Sequence, residues 1–113
     1  MPFISTKTTC EITKEKETSI KAKLGEAMAL IGKSEGWLML EFEDNKRMYM
    51  RGDNKEDIAM VEVALFGKAS DSQYDAFTKK ITQVIKEELG VDGENIYIKY
   101  SEIEHWGYNG FNF

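Results

Sequence analysis

The residue with the clearest potential for chemistry is Pro2. A chain that begins Met-Pro can lose its methionine, because the second residue is compact, and Pro2 then carries a basic secondary amine. A free α-amino group titrates at about pH 7.7–8.0, and burial lowers the pKa of an amine. Since a general base works best with a pKa near the operating pH, Pro2 is a candidate catalytic base. Taken alone, Pro2 is better interpreted as a proline without a role.

Two further features could complete a site with Pro2. Lys33 follows Gly32, where a helix is predicted to end, and could bind an anion, although the helix dipole alone also favours a cation there. Aromatic residues gather near the C terminus and could form an apolar wall or a subunit interface. These residues are Tyr97, Tyr100, Trp106, Tyr108, Phe111 and Phe113.

Other catalytic constellations are not indicated. His105 is the only histidine and Cys10 the only cysteine, so a Ser-His-Asp triad is not expected and no intramolecular disulfide can form. No ligand spacing for a metal and no glycine-rich phosphate loop occurs, so we expect neither a metal nor a cofactor. The Arg51-Gly52-Asp53 sequence matches a cell-adhesion tripeptide, but a turn in a charged loop is the simpler interpretation.

Composition limits the class of protein. At 113 residues, 42% apolar and 31% charged, the chain has room for one globular domain. The net charge of −5 without a basic block makes nucleic acid an unexpected partner. No signal peptide and no membrane span is indicated, so we expect a cytoplasmic protein, with export by another route as the alternative.

The elements that must position Pro2 and Lys33 form a first unit of strand, helix and strand. Residues 2–10 mix β-branched and polar types, which predicts a strand. Apolar residues recur at helical spacing over 20–31 and predict a helix that ends at Gly32. Residues 37–43 predict the second strand.

A second unit repeats this order. Residues 58–66 predict a strong strand, and Ser70 begins a capping box before a helix that ends at Gly90. Residues 95–103 alternate and predict the last long strand. Residues 47–51, between the two units, predict a weak strand.

These units predict an α/β fold, α+β in some schemes, over residues 1–113. Helical crossovers favour parallel strands within each unit, and two helices can cover one face of a four-stranded mixed sheet. We expect the other face to carry Val, Leu, Ile and aromatic residues beside Glu62. Such an apolar face needs a partner, which predicts a homo-oligomer.

Five segments resemble the macrophage migration inhibitory factor (MIF) branch of the tautomerase superfamily. The proline near the N terminus and the aromatic ending together make the resemblance specific, and it spans nearly the whole chain. The segments are PFI after Met1, IGK at 31–33, FGK at 66–68, NIYIKY at 95–100 and WGYNGFNF at 106–113.

The resemblance implies a homotrimer whose sheets surround a central channel, with active sites between subunits. It makes Pro2 the catalytic base and Lys33 the binder of a substrate carboxylate. It assigns a substrate contact to the backbone N–H of Phe66, and it implies that Tyr97 comes from a neighbouring subunit. The implied aromatic wall consists of Trp106, Tyr108 and Phe113.

Departures from the family pattern limit what is carried over. Lys99 stands where the family often has asparagine, and could lower the pKa of Pro2, contact a carboxylate or point to solvent. Trp106 replaces a smaller residue, which predicts a narrower pocket. The CxxC of animal members is absent at 57–60, so their thiol-redox activity is not expected.

The implied function is keto–enol tautomerisation of aryl α-keto acids such as phenylpyruvate, after removal of Met1. The alternative is a cytokine-like binding module with vestigial activity and a protein receptor. Decarboxylation or hydration of an unsaturated acid is a third reading. It usually needs a further acid or an arginine near Pro2, and the only arginines, Arg47 and Arg51, lie in the charged loop.

Overall fold

Two β-α-β units follow one another along the chain, as predicted, and a short hairpin ends it. The computed structural model describes residues 1–113. The elements are β1 (Pro2–Thr8), α1 (Lys14–Ala27), β2 (Met39–Glu43), β3 (Ala59–Phe66), α2 (Asp71–Leu89), β4 (Ile96–Ile103), β5 (Gly107–Tyr108) and β6 (Phe111–Asn112).

The main sheet has the strand order β2-β1-β3-β4. Strand β1 runs parallel to β2, and β3 runs parallel to β4, which is what a helical crossover within each unit requires. The two units meet where β1 and β3 pair antiparallel, with Pro2 opposite Leu65. The start of β1 therefore lies beside the end of β3, and the prediction of a mixed sheet is confirmed.

Local sequence sets the helix boundaries. The Thr13 side chain accepts a hydrogen bond from the N–H of Lys16 at the start of α1, and Ser70 forms a capping box with Gln73 at the start of α2. The first helix was predicted to continue to Gly32, but its last turn, Met28–Ile31, is a tighter 3₁₀ helix. Such tightening gives hydrogen-bond partners to the final carbonyl groups.

The core lies between the two helices and one face of the sheet. Buried side chains of β1 and β3, such as Ile4 and Val63, pack against Phe77 and Ile81 of α2 and against Leu24 of α1. Because side chains alternate along a strand, every second residue of β3, from Ala59 to Leu65, points to this helix-covered face.

The uncovered face has a charged centre with apolar residues such as Phe3, Met60 and Tyr97 around it, so the prediction of an apolar face is correct only in part. Lys7 lies near its centre, and its Nζ is 3.2 Å from Glu62 Oε1 and 3.5 Å from Glu43 Oε2. Ser5 Oγ donates a hydrogen bond to Glu41 at 2.7 Å. Alternation explains the difference, because Val61, Val63 and Leu65 of β3 point to the helices.

The charged loop contains a turn and not the weak strand predicted at 47–51. Met50 and Asp53 exchange backbone hydrogen bonds of 2.9 and 3.2 Å around the two residues between them. The guanidinium of Arg51 donates to the carbonyl oxygen of Glu94 and to Asn95 Oδ1. Arg51 is therefore held by its own chain, in agreement with the turn interpretation.

The aromatic C terminus forms the hairpin of β5 and β6, which was not predicted. Its turn is Asn109-Gly110, with φ of 50° and 84°. Both angles are positive, which suits the Asn-Gly turns that join tightly paired strands. The turn folds the aromatic residues back towards the start of β1. Neither α1 nor α2 combines the length and the apolar character that crossing a membrane requires.

Candidate active site

The candidate site is built around Pro2, which is buried at the first position of β1. The backbone of the preceding residue continues the pairing of β1 with β3, because the N–H of Phe66 donates to the carbonyl oxygen of Met1 at 3.1 Å. Phe66 is the last residue of β3. The sheet thus brings the nitrogen of Pro2 and the backbone of Phe66 together at one end of its two central strands.

Lys33 reaches this end of the sheet from the loop after α1. Gly32 has a φ of 68°, a value that glycine adopts at little cost, and it turns the chain so that Lys33 follows directly. The Nζ of Lys33 donates to the carbonyl oxygen of Phe66 at 3.4 Å. Burial, and then the positive charge of Lys33, lower the pKa of the Met1 amino group. The corner around Pro2 is therefore partly desolvated and electropositive.

Aromatic rings form one wall beside this corner. The ring of Phe66 lies 5.8 Å from that of Phe113, which in turn stacks on Tyr108 at 6.1 Å. Trp37 meets Tyr108 edge to face, with centroids 5.1 Å apart and an interplanar angle of 89°. These spacings are typical of attractive aromatic pairs.

Two adjoining cavities open between the wall and the start of β1. The first has a volume of about 560 Å³ and the second about 350 Å³. Met1, Trp37 and Tyr108 line both of them. The first is also lined by Phe66, Asn109, Phe111 and Phe113, and the second by Pro2, Gly36, Leu38, Met39, Trp106 and Gly107.

Another depression, of about 360 Å³, lies near the start of β3 and has no apolar lining. Asp57 and Asp92 are among the polar residues around it. The structure contains no cluster of three histidine, cysteine or acidic side chains placed to hold a metal ion. The cavities at Pro2 have the aromatic wall, and Lys33 lies beside them through its contact with the Phe66 carbonyl oxygen.

Most of the residues singled out from the sequence meet at this place. Pro2 and Trp106 line the second cavity, Phe66 and Phe113 line the first, and Tyr108 lines both. Lys33 contacts the backbone of Phe66 from the side.

Two residues lie elsewhere in the single chain. Tyr97 pairs with Met60 on the uncovered sheet face, and its side chain is 64% exposed. Met60 is five positions before Leu65, the partner of Pro2, which corresponds to about 16 Å along the strand. Lys99 lies on the same face, with its Nζ 4.0 Å from Glu62 Oε2. Within one chain, neither residue lines the cavities.

Trp37 is the main residue of the cavities that sequence reasoning missed. Trp37 was predicted as the first residue of a strand, but it lies in the short 3₁₀ helix Glu35–Trp37. Ser34 caps this helix by accepting a hydrogen bond from the N–H of Gly36. A Ser-Glu-Gly sequence directly after Lys33 was the signal that a turn, and not yet a strand, leads to this tryptophan.

Comparison with known proteins now identifies the family. The family model of macrophage migration inhibitory factor (MIF) matches residues 1–113. The chain belongs to this family. The MIF2 structure from Leishmania major is 30% identical and superposes with a TM-score of 0.93, and the match covers 100% of this chain and 97% of that one.

Two further solved structures share the fold of this MIF family chain. Pt0534, inactivated by 2-oxo-3-pentynoate, is 11% identical with a TM-score of 0.86, and the match covers 97% of this chain and 94% of that one. An asymmetric trimer of fused 4-OT is 13% identical with a TM-score of 0.84, over 97% and 94% of the two chains. A comparison with the curated proteins finds no match. Membership of the family supports a MIF-like function.

Proposed function

We propose that this chain is a keto–enol tautomerase of aryl α-keto acids such as phenylpyruvate, with the amine of Pro2 as the base. The observation that carries the proposal is that Pro2, Lys33 and an aromatic wall lie close together at one end of the central strands. The α-keto acid class has a further support. Pt0534, which shares this fold, is inactivated by 2-oxo-3-pentynoate, itself a 2-oxo acid.

The proposed reaction moves one proton within the substrate. The neutral amine of Pro2 takes a proton from the carbon next to the ketone, and the resulting ammonium returns it to the oxygen, so that keto acid becomes enol. The reverse direction begins at the enol hydroxyl. General acid–base catalysis of this kind contributes about 10²- to 10⁴-fold to the rate.

Lys33 and the backbone N–H of Phe66 hold the anionic part of the substrate in this proposal. The positive charge of Lys33 stabilises the carboxylate and the negative charge that develops on the carbonyl oxygen. An aryl group would lie against Tyr108 and Phe113, in the cavity of about 560 Å³. The same positive charge and burial that lower the pKa of the Met1 amine would favour a neutral amine at Pro2.

The proposed active enzyme is a homotrimer in which a neighbouring subunit supplies Tyr97. The fused 4-OT protein of the same fold is a trimer, which supports this assembly. Tyr97 has no role in the cavities of its own chain, and 64% of its surface is free. Lys99, on the same face, is free to approach a neighbouring subunit's cavity together with Tyr97.

The second candidate is a MIF-like binding module that acts on a protein receptor, with tautomerase activity as a remnant. The family description, macrophage migration inhibitory factor, favours it. Receptor binding that survives Pro2→Gly would support this candidate. We propose the cytoplasm as the location of the enzyme, and export without a signal peptide belongs to the receptor-binding candidate.

The first test replaces the proposed base. Intact-mass analysis first selects chains whose first residue is Pro2, and phenylpyruvate tautomerisation is then measured. We expect Pro2→Gly to lower kcat/KM by about 10²- to 10⁴-fold, because the secondary amine is lost. Circular dichroism checks that the variant is folded. Undiminished activity in Pro2→Gly, or full activity in chains that retain Met1, would contradict the proposal.

The second test removes the proposed carboxylate binder. We expect Lys33→Met to lower kcat/KM by about 10- to 100-fold, mainly through KM, since a hydrogen bond to a charged group contributes about 1.5–3 kcal/mol. Lys79→Met is the matched control, because Lys79 is exposed on α2 and makes no ion pair. Equal losses in both variants would show that the charge of Lys33 has no special role.

A further inference from the structure

A glycine inside the first helix is not required by the backbone conformation. Gly25 is buried within α1 (Lys14–Ala27). Its φ is not positive, so any residue could adopt this backbone. Glycine destabilises the interior of a helix relative to alanine, because it loses more conformational freedom on folding. The position therefore points to a close approach by another part of the chain.

The close approach comes from the side chain of Glu35. A Cβ atom at Gly25 would overlap the carboxyl group of Glu35 and would lie 3.0 Å from its Cγ. The Glu35 carboxylate makes no hydrogen bond and no ion pair within the chain, and the residue is otherwise exposed. The contact between Glu35 and Gly25 therefore depends on shape and not on charge.

We propose that Glu35 is a positioning residue for Trp37. Its side chain lies in a notch that Gly25 leaves open on α1, and it seats the 3₁₀ helix Glu35–Trp37 so that Trp37 faces the cavities. Glu35 and Trp37 are the first and last residues of this helix. The inference rests on the proposed function only for its kinetic measurement.

The short helix needs such a contact, because its own hydrogen bonds do not attach it to α1. The N–H of Trp37 donates to the carbonyl oxygen of Ser34 at 3.4 Å, and the N–H of Leu38 donates to that of Glu35 at 3.0 Å. The N–H of Gly36 donates to Ser34 Oγ at 3.1 Å. These bonds fix the shape of the turn, and a side-chain contact has to fix its place on the helix.

The place of this turn affects the site through Trp37. The indole lines both cavities, is 51% exposed, and meets the ring of Tyr108 at 5.1 Å. A half-exposed ring loses freedom when a ligand packs on it, and a turn that is already seated reduces that loss. We therefore expect Glu35 to act on KM, and to leave kcat unchanged.

The test compares ways of emptying the notch. Gly25→Ala displaces the Glu35 side chain, Glu35→Ala removes it, and the double variant does both. Glu35→Gln keeps the shape and removes the charge. Glu26→Ala is the matched control, because it removes an exposed glutamate of α1 beside Gly25. The measurements are the indole N–H signal of Trp37 by NMR and phenylpyruvate kinetics on chains that begin at Pro2.

We expect Gly25→Ala and Glu35→Ala each to move the Trp37 signal and to raise KM by about 3- to 10-fold. The double variant should be no worse than either single variant, since all three lose the same contact. Glu35→Gln and Glu26→Ala should match the parent in both measurements. Because Glu35 is exposed, Glu35→Ala should fold even where Gly25→Ala does not.

A Trp37 signal and a KM that stay at the parent values in Glu35→Ala would overturn the inference, as would losses that add up in the double variant. Its failure is distinguishable from failure of the proposed function. A chain without tautomerase activity whose Trp37 signal moves as expected would support the positioning role and remove the tautomerase. Active enzyme with an unchanged signal and KM in Glu35→Ala would do the reverse.

Discussion

Pro2 and Lys33 come from different elements, and the backbone of Phe66 connects them. The N–H of Phe66 bonds to residue 1 and its carbonyl oxygen to Lys33, so the backbone of one residue at the end of β3 contacts both neighbours. Because backbone atoms make these contacts, a change of the Phe66 side chain should alter the aromatic wall more than the spacing of base and cation.

Trp37 is the residue whose change should alter substrate choice. We expect Trp37→Ala to lower kcat/KM for phenylpyruvate by up to about 10-fold, since an aromatic pair contributes about 0.5–1.5 kcal/mol beyond area burial. The activity on pyruvate, which has no ring, should change little. The side chain is 51% exposed, so the variant should remain folded. Steady-state kinetics on both substrates measure the difference.

Tyr49→Ala is the control for this change, because Tyr49 is exposed and lines neither cavity. A parallel loss of activity on phenylpyruvate and pyruvate would show that Trp37 supports the whole site and not the recognition of the ring.

At the residue scale, the sequence was informative where a residue type is unusual for its place. Pro2 and Lys33 could be singled out because each has chemistry that its predicted element does not need. The cavity contact of Trp37 could not be predicted, since it depends on the hairpin turn at Asn109-Gly110 returning Tyr108 to it. The role of Tyr97 rests on a second subunit and stays a prediction.

At the element scale, the two helices are joined by a half-buried carboxylate. Glu88 of α2 accepts hydrogen bonds from Ser19 Oγ at 2.8 Å and from Lys23 Nζ at 2.6 Å, both on α1. The hydrogen bond from Lys23, then that from Ser19, lower the pKa of Glu88. The ionised carboxylate therefore stabilises the packing of α1 against α2.

This contact makes the free energy of unfolding higher at neutral pH than in acid. A carboxylate with a lowered folded pKa stabilises above its unfolded pKa of about 4.3, and the contribution is lost as pH falls through the folded value. We expect Glu88→Gln to have a lower Tm than the parent at pH 7, with the difference shrinking towards zero below about pH 3. Thermal unfolding across pH 2.5–7.5 measures it.

Glu26→Gln is the matched control, because Glu26 is exposed on α1 and makes no ion pair. It should follow the parent at every pH. A Glu88→Gln deficit that stays constant down to pH 2.5 would mean that shape, and not charge, accounts for the contact.

Helices and strands with a clear pattern of apolar residues were predictable from the sequence. The composition of the uncovered sheet face was not. The strong strand pattern at 58–66 and the capping box of α2 identified both elements, with bounds close to those observed. The direction in which a strand's apolar residues point depends on which face the helices cover, so the charged centre around Lys7 was not predicted. The hairpin of β5 and β6 was missed because its strands have only two residues each.

At the scale of the whole molecule, the proposal of a shared site predicts complementation between inactive chains. Pro2→Gly lacks the base, and Tyr97→Ala lacks the residue that a neighbour should supply. We expect an equal mixture, unfolded and refolded together, to recover about a quarter of the activity. About half of the sites contain an intact Pro2, and about half of these receive an intact Tyr97 from the neighbouring subunit. Phenylpyruvate turnover before and after mixing measures the recovery.

Refolding either variant alone is the control and should recover nothing. A monomer in sedimentation velocity, or no recovery in a mixture that does form trimers, would contradict the shared site.

The antiparallel meeting of β1 and β3 gives the subunit an approximate internal twofold axis. The axis relates Pro2, at the start of β1, to Ala59, at the start of β3 inside the chain. It likewise relates Lys33, after Gly32, to Val91, after Gly90, and Val91 is only 1% exposed. The axis therefore relates two corners of different chemistry. One gathers charge around a nitrogen that hydrolysis can free, and in the other a buried valine takes the place of the lysine, beside a depression lined by polar residues.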